Sequence, residues 1–292
     1  MKSCISTYSF HKLYSKDGFT HFSAIDKTKE LGCEGVEFVL DDTTPDGSSP
    51  LEFAKNLTEY AKEKGLETPI YTTGANFFQP TDIEREVERV CKHIDIASEC
   101  GIPLLRHDVS WSYHPEYDGV KTYKKIIEII APAISKVADY AKSKGVKTCS
   151  ENHGRLFQDS NRMVELFTAV NNTNYGFLCD MGNFGGVDEN YVTAASAMLD
   201  LIVHVHAKDV FVRSGMSYNP GRGFNQSRGG NYRRSTIFGH GDVPSFQILR
   251  AIKNSGYDGY VSLEFEGMED TIEAITIGIE NLQRMIRDIE GK

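Results

Sequence analysis

The feature that most constrains this chain is a regular alternation of short strand-like runs and longer helix-like segments from one end to the other. Runs rich in β-branched and aromatic residues predict strands at residues 4–10, 33–40, 67–73, 103–109, 147–153, 175–181, 202–208 and 260–266. Segments of helical periodicity predict helices near residues 20–31, 50–64, 81–100, 121–144, 160–170, 189–199, 244–254 and 269–288. Two of the predicted helices end in a basic residue followed by glycine, at Gly65 and Gly145, which is a common helix stop signal.

Eight strand–helix units in 292 residues, without a linker rich in proline, serine or charge, predict an α/β fold. We expect a single (β/α)₈ TIM barrel that forms one domain over residues 1–292, with a doubly wound open sheet as the alternative. One connection, residues 211–243, is much longer than the others and carries five arginines. Because such loops are usually functional or disordered, we expect it to lie over the active-site face and meet an anionic or polyhydroxylated ligand. A solvated insertion is the other interpretation.

The charge and the apolar pattern of the chain indicate which partners it is able to bind and where in the cell we expect it. Forty-one acidic residues against thirty-two Lys and Arg give a net charge of −9, which disfavours a nucleic-acid surface. No apolar run approaches the roughly eighteen residues that a membrane span needs, and the first residues form a strand pattern rather than a signal peptide. The six cysteines have neither the spacing of a thiolate zinc site nor that of a disulfide framework. We therefore expect a cytoplasmic protein with no nucleic-acid or membrane partner.

Side chains that can bind metals end four consecutive predicted strands. These strand ends read SENHG (150–154), CDMGN (179–183), VHAKD (205–209) and LEFEG (263–267). The carboxyl ends of barrel strands form the active-site face, and a carboxylate embedded there in apolar sequence would carry a heavy desolvation cost unless a cation offset it. Three carboxylates and one imidazole suit Mn²⁺, Mg²⁺, Co²⁺ or Zn²⁺, and oxygen-rich ligation favours manganese. The alternative is a set of ordinary strand-end groups paired with Lys or Arg.

Two residues are predicted to face the same pocket because side chains alternate along a strand. His153 follows Glu151 by two residues, so both project from the same side. His153 is therefore a candidate catalytic base, with a structural imidazole as the equal alternative. Lys208 stands in the same relation to His206 and is predicted to bind a substrate oxygen or to stabilise an oxyanion.

Three further residues near strand ends are candidates for binding substrate. His107 ends the fourth predicted strand, and Trp111 follows it closely. His107 is predicted to line the substrate channel. Trp111 is predicted to form an apolar wall for a face of the sugar, with a place in the core as the alternative. His240 lies between two glycines in the long connection, where it is predicted either to bind substrate or only to shape the loop.

Several of these motifs together resemble the xylose isomerase-like TIM-barrel superfamily, in its sugar phosphate isomerase/epimerase branch. The resemblance covers the whole chain and is most specific at SENHG, CDMGN, HVHAKD, GHGDVP (239–244) and GYDGYVSLEFEG (256–267). It implies that the metal ligands are Glu151, Asp180, His206 and Glu264, the last chosen over Glu266 chiefly on the motif. In epimerases of this group the two glutamates also act as acid and base on opposite faces of the sugar.

The activity that the resemblance implies is that of a sugar isomerase or epimerase with one divalent metal ion. Such an enzyme abstracts a proton next to a carbonyl through a metal-bound enediolate, because the metal polarises the ketone while a carboxylate moves the proton. Mn²⁺ is the expected ion. The expected substrate is a small sugar, keto-sugar or glycoside.

The same resemblance leaves other functions open. The catalytic subunits of C-glycoside deglycosidases look similar at the Glu-x-His motif. These enzymes cleave a 3-keto C-glycoside by β-elimination, and the resemblance implies that His153 would be the base. They work with a small β-rich partner subunit. Dehydration of a keto-inositol uses a similar enolate. A non-catalytic sugar-binding barrel and a homo-oligomer are also left open. Asn183 stands where endonuclease IV and the D-psicose and D-tagatose epimerases carry histidine, which argues against DNA repair and against a free-sugar epimerase.

Overall fold

Eight parallel strands close into a barrel in the computed structural model, which describes residues 1–14, 16, 18–78 and 82–291. The barrel strands are β1 (Lys2–Ser6), β2 (Gly35–Val39), β3 (Tyr71–Thr73), β4 (Leu104–His107), β5 (Lys147–Glu151), β6 (Tyr175–Asp180), β7 (Ile202–Ala207) and β11 (Tyr260–Leu263). Each strand pairs with its neighbours along the chain, and β1 closes the barrel against β11. The predicted (β/α)₈ fold is confirmed.

A helix follows every barrel strand, as the periodicity predicts. The helices are α1 (His21–Glu30), α2 (Pro50–Glu63), α3 (Ile83–Glu99), α4 (Tyr123–Ser143), α5 (Ser160–Val170), α6 (Tyr191–Ser196), α7 (Ser245–Asn254) and α8 (Thr271–Glu290). Gly65 and Gly145 lie past the ends of α2 and α4 with φ of +71° and +73°, which explains why glycine occupies both positions. Thr81, which falls within the third predicted helix, lies outside the described residues. Among those residues, no helix is long and apolar enough to span a membrane.

The first strand and the sixth helix are each followed by a 3₁₀ turn where the prediction continued the strand or the helix. The first strand stops at Ser6, and residues 7–10 form a 3₁₀ turn in which the Ser9 hydroxyl donates to the Leu263 carbonyl and accepts from the Phe265 amide. This turn leaves Tyr8 partly exposed beyond the end of β1. Helix α6 covers six residues, between an Asn190 cap and a further 3₁₀ turn.

A small apolar group forms a floor below the carboxyl ends of the strands. It consists of Ile70, Leu104, Cys149 and Leu178, all buried. Cys149 and Leu178 each precede by two residues a carboxylate that ends the same strand, so each shares a face with that carboxylate. The strand ends therefore present their polar side chains directly above an apolar layer.

The long connection forms a second, antiparallel sheet rather than an irregular loop. Its strands are β8 (Asp209–Arg213), β9 (Asn225–Gln226) and β10 (Tyr232–Thr236), and we call residues 209–236 the hairpin. Asp188, in the segment after β6, accepts hydrogen bonds from the Ser227 hydroxyl at 2.6 Å and the Asn231 amide at 2.8 Å. The hairpin is therefore fastened to a loop at the carboxyl end of the barrel.

Candidate metal centre

The four predicted ligands meet at the carboxyl end of the barrel. One ligand atom from each of Glu151, Asp180, His206 and Glu264 lies within 4.8 Å of the others. These residues end β5 and β6, lie within β7, and follow β11 directly. The registers between parallel strands bring them level, since Asp180 pairs with His206 across β6 and β7. We call this group the four-residue centre.

Local backbone structure orients the carboxylate of Asp180. Its Oδ1 atom accepts hydrogen bonds from the amides of Gly182 at 2.8 Å and Asn183 at 2.9 Å, so that Oδ2 faces the centre and Lys208. A Cβ atom at Gly182 would lie only 2.9 Å from the Lys208 carbonyl oxygen, so the close approach of β7 requires glycine there. Burial raises the pKa of Asp180 to about 7.

The inward-facing atoms of the centre are suitable ligands for a divalent cation. His206 Nδ1 is buried and has no hydrogen-bond partner among the described residues. The buried Oδ2 atom of Asp180 and Oε2 atom of Glu264 have only the Lys208 ammonium as an ion-pair partner. Buried polar atoms are rarely left without a hydrogen-bond partner, because each would carry a desolvation cost. Carboxylate oxygens with one imidazole nitrogen are suitable donors for Mn²⁺, Mg²⁺, Co²⁺ or Zn²⁺.

Glu37 on β2 orients the imidazole of His206. His206 Nε2 lies 3.0 Å from Glu37 Oε2, while His206 Nδ1 lies 3.8 Å from Glu151 Oε1 and 3.7 Å from Glu264 Oε2. A carboxylate behind a metal-binding histidine fixes its tautomer and ring orientation. The Thr72 hydroxyl donates to Glu37 at 2.9 Å, and although burial opposes its charge, His206 and His204 hold the pKa of Glu37 well below its usual range.

Sequence reasoning missed Glu37, although its position carried a signal. It is the one acidic residue at the centre of a strand that is otherwise apolar, GVEFV. Glu37, His204 and His206 also lie close enough to hold a metal ion. Since His204 Nε2 hydrogen bonds to the Ser262 hydroxyl at 2.7 Å, we interpret this second group as a hydrogen-bonded support for His206.

The predicted base His153 is joined to the centre through Arg106. Arg106 Nη2 lies 2.7 Å from Glu151 Oε2, 2.8 Å from Asp108 Oδ1 and 3.1 Å from His153 Nδ1. The Asp108 carboxylate is in turn 2.9 Å from His153 Nδ1. Although burial lowers it, the hydrogen bond to Asp108 and the charge of Glu151 raise the pKa of His153 above its usual value. Trp111, half exposed, packs edge-on against this imidazole at 4.5 Å between ring centroids.

Lys208 is a buried cation among the carboxylates of the centre. Its ammonium lies 3.0 Å from Asp180 Oδ2, 2.5 Å from Glu264 Oε2 and 3.5 Å from Glu266 Oε1. Although burial disfavours the charge, Asp180 and Glu264 hold the pKa of Lys208 well above its usual value. Glu266 thus faces the same lysine as Glu264, as expected for residues two apart, but it stands outside the four-residue centre.

Asn183 stands where endonuclease IV and the D-psicose and D-tagatose epimerases carry histidine, and it contacts the centre. Its side-chain amide donates to Glu151 Oε1 at 2.8 Å, and its backbone carbonyl accepts from the Gln158 amide at 2.6 Å. Glu151 therefore has Arg106 on one oxygen and Asn183 on the other. This arrangement restrains the carboxylate on both sides.

Two predicted substrate-binding residues do not join this group. His107 is fully buried between Phe77 and the stacked ring of Tyr175, and burial lowers its pKa to about 4. Since Arg106 faces the centre, alternation along β4 places His107 on the opposite side of the strand. His240 is exposed in its turn and makes no side-chain contact with the centre among the described residues.

The chain is similar to several known proteins. A family model described as xylose isomerase-like TIM barrel matches residues 25–287. Among curated proteins, the uncharacterized protein MJ1311 of Methanocaldococcus jannaschii is 24% identical over 156 residues, which cover 51% of this chain and 47% of that protein. The matched region thus spans about half the length of that relative.

Two of the solved structures that share this architecture are an epimerase and a zinc-bound protein. An L-ribulose 3-epimerase superposes with a TM-score of 0.75 at 15% identity, covering 99% of this chain and 95% of the other. The IolI protein, solved with a bound zinc atom, superposes with a TM-score of 0.72 at 17% identity, covering 99% and 98%. At these identities the likeness shows a shared fold.

Proposed function

Because this chain belongs to the xylose isomerase-like TIM barrel family, we propose that it is a divalent-metal-dependent sugar isomerase or epimerase. The reaction is abstraction of a proton next to the carbonyl of a small sugar or keto-sugar, through an enediolate. The observation that carries the proposal is the convergence of four ligand residues on one point, where His206 Nδ1 is buried without a hydrogen-bond partner among the described residues. Solved epimerases with the same fold give it additional support.

The residues that would hold the metal are Glu151, Asp180, His206 and Glu264. A divalent cation at this position supplies Lewis-acid stabilisation of negative charge on a sugar oxygen. The oxygen-rich donor set favours Mn²⁺ over Mg²⁺, Co²⁺ or Zn²⁺. The buried ligands and the apolar floor beneath them limit access of water to the centre.

The two glutamates are proposed to move the proton. Glu151 and Glu264 lie on either side of His206, whose Nδ1 is 3.8 Å and 3.7 Å from their nearest oxygens. Although burial raises it, Lys208 and His206 hold the pKa of Glu264 at about 2, so this carboxylate is ionised near neutral pH. The fixed charges of Lys208 and Arg106 are suited to holding substrate oxygens as negative charge develops.

A second candidate function is a carbon–carbon lyase that cleaves a 3-keto C-glycoside by β-elimination. The observation that favours it is the pairing of His153 with Asp108, which gives the site a base that is not one of the four ligands. A His153→Asn variant separates the two candidates. If this variant holds a normal amount of metal but no longer abstracts the proton, the lyase with His153 as its base is favoured. If it still abstracts the proton, the isomerase or epimerase with the two glutamates as bases is favoured.

The test of the proposal combines metal analysis with hydrogen exchange. We expect about one Mn²⁺, Mg²⁺, Co²⁺ or Zn²⁺ per chain by mass spectrometry, and exchange of substrate carbon-bound hydrogen in D₂O across a panel of keto-sugars. Glu151→Gln and Glu264→Gln should lose metal and exchange together. Glu266→Gln is the matched control and should retain metal. Full metal content and turnover in either ligand variant would overturn the assignment.

A further inference from the structure

A cleft of about 600 Å³ lies between the barrel loops and the hairpin. One wall comes from the loops after β5 and β6, with Arg155, Gln158 and Gly186. The other wall comes from the hairpin, with Gln226 and Arg233. A Cβ atom at Gly186 would lie 2.5 Å from the Gln158 amide nitrogen, so glycine is needed for the side chain to pack there.

The cleft adjoins the four-residue centre through two short connections. The Gln158 amide donates to the Asn183 carbonyl, and Asn183 donates to Glu151. The Arg155 backbone amide donates to the Trp111 carbonyl at 3.4 Å, and the Trp111 ring contacts His153. Two residues that line the cleft, Gln158 and Arg155, are therefore each one residue removed from a side chain at or next to the centre.

Ion pairs separate the five arginines of residues 211–243 into two groups. Arg213, Arg228 and Arg234 pair with Asp242, Asp159 and Glu269, at 3.3, 2.6 and 3.2 Å. Arg222 and Arg233 form no ion pair with any residue that the structure describes, and of these two only Arg233 lines the cleft.

Arg155 faces the same cleft from the barrel wall and also has no ion-pair partner within the described ranges. Arg228 holds the two walls together, because its Nη2 donates to the Arg155 carbonyl at 2.8 Å while its Nη1 pairs with Asp159. The hairpin is thus attached where it brings Arg233 to the cleft that Arg155 lines. Both guanidiniums are left uncommitted in a protein whose net charge is −9.

We propose that Arg155 and Arg233 bind an anionic group of the substrate, a phosphate or a carboxylate, remote from the reacting carbonyl. Guanidinium groups donate two parallel hydrogen bonds to such anions, and an anion between two of them would offset their mutual repulsion. This inference rests on the proposed function, and it narrows the substrate to an anionic sugar or keto-sugar. Binding energy from this remote group would orient the carbonyl at the centre.

The test is titration of the full chain with inorganic phosphate and with acetate, in metal-loaded and metal-stripped protein. We expect Arg155→Gln/Arg233→Gln to raise the Kd of the preferred anion about tenfold or more in both preparations, which separates the arginine cleft from binding on the metal. Arg222→Gln is the matched control, since it removes an equal charge from the same hairpin. Tighter phosphate binding would indicate a sugar phosphate, and tighter acetate binding a sugar acid.

Unchanged anion affinity in the double variant, or no binding of either anion to the unmodified protein, would overturn the proposal. Thermal unfolding of each variant checks that the fold is retained, and the single variants provide the same comparison if the double variant is unstable. Failure of the proposed function is seen separately. If the protein binds phosphate through the arginines but holds no metal, the proposed metal-dependent function is refuted and the anion site stands. If it shows metal-dependent hydrogen exchange but binds no anion, the anion site is refuted and the proposed function stands.

Discussion

At the residue scale, the centre relies on side chains that stand behind the proposed ligands. Glu37 contacts the far edge of His206, Arg106 and Asn183 restrain Glu151, and Lys208 neutralises part of the carboxylate charge. Each of these contacts joins two different strands or loops. The orientation of the ligand atoms therefore depends on the barrel being closed.

Replacing Glu37 with Gln should weaken metal binding without removing a ligand. The uncharged amide no longer supports the His206 ring in its ligand orientation, and losses of about 10- to 100-fold in affinity are typical of such changes. Competition with a chelating dye measures the effect. Glu34→Gln, three residues earlier and bonded to Ser3 instead, is the matched control. Equal metal affinity in Glu37→Gln and the parent would contradict this role.

His107 should make the protein less stable in acid. Its pKa falls from about 6.5 in the unfolded chain to about 4 in the folded protein, so only the unfolded chain takes up the proton between these values. The free energy of unfolding therefore decreases as the pH falls from about 6.5 towards 4, by about 2 kcal/mol between pH 7 and pH 5. Urea unfolding at pH 7 and pH 5 measures this change, and we expect the free energy of unfolding to decrease by about 2 kcal/mol less in His107→Gln than in the parent protein. His240→Gln should leave the decrease intact, and an unaltered decrease in His107→Gln would refute the assignment.

At the element scale, the hairpin is fastened to the barrel at several points, and Asp188 and Arg228 each provide more than one of the contacts. Asp188 adopts a left-handed conformation with φ of +59° and accepts from the Ser227 hydroxyl, the Gly229 amide and the Asn231 side chain. Asparagine tolerates this backbone conformation but lacks the charge and one acceptor oxygen. An Asp188→Asn substitution therefore weakens the hydrogen bonds to the hairpin without straining the backbone of the loop.

We expect Asp188→Asn to speed tryptic cleavage within the hairpin about tenfold, while the barrel stays resistant. Loss of hydrogen bonds to a charged acceptor raises the population of the open hairpin, and cleavage under native conditions reports that population. Mass spectrometry of the fragments identifies cuts after Arg222 and Arg228. Asp200→Asn, at an exposed residue that forms no hydrogen bond with the hairpin among the described residues, is the control. Identical cleavage rates in both variants would show that other contacts fasten the hairpin.

At the scale of the whole molecule, metal binding should raise thermal stability. The centre gathers carboxylates whose charge Lys208 offsets only in part, and a cation that binds only the folded state stabilises it by mass action. A free Mn²⁺ concentration of about 100 times Kd adds about 2.7 kcal/mol, which corresponds to about 4 °C in Tm for a domain of this size. Calorimetry with Mn²⁺ and with chelator measures the shift. A shift of equal size in Glu264→Gln would place the binding elsewhere.

The sequence by itself determined the barrel and the four-residue centre. Hydrophobic periodicity is local and separates strand from helix directly, and eight strand–helix units in succession have a single closed arrangement that matches them. Because all barrel strands run parallel, Glu151, Asp180, His206 and Glu264, each at a strand's carboxyl end, reach the same rim, and the resemblance to the family marked them as the proposed ligands.

Only the tertiary structure decided which residues surround that centre. Glu37 reaches His206 from a strand about 170 positions away in the chain, and periodicity carries no information about such contacts. His107 and Arg106 are neighbours in sequence, yet alternation puts them on opposite sides of β4, and the strand's register in the closed barrel decides which one faces inward. Residues 211–243 lack clear periodicity, and their strands form only because β8 and β10 pair with each other across a long turn. Local sequence specifies elements and their ends, whereas inward orientation and side-chain partners depend on packing between elements that are distant along the chain.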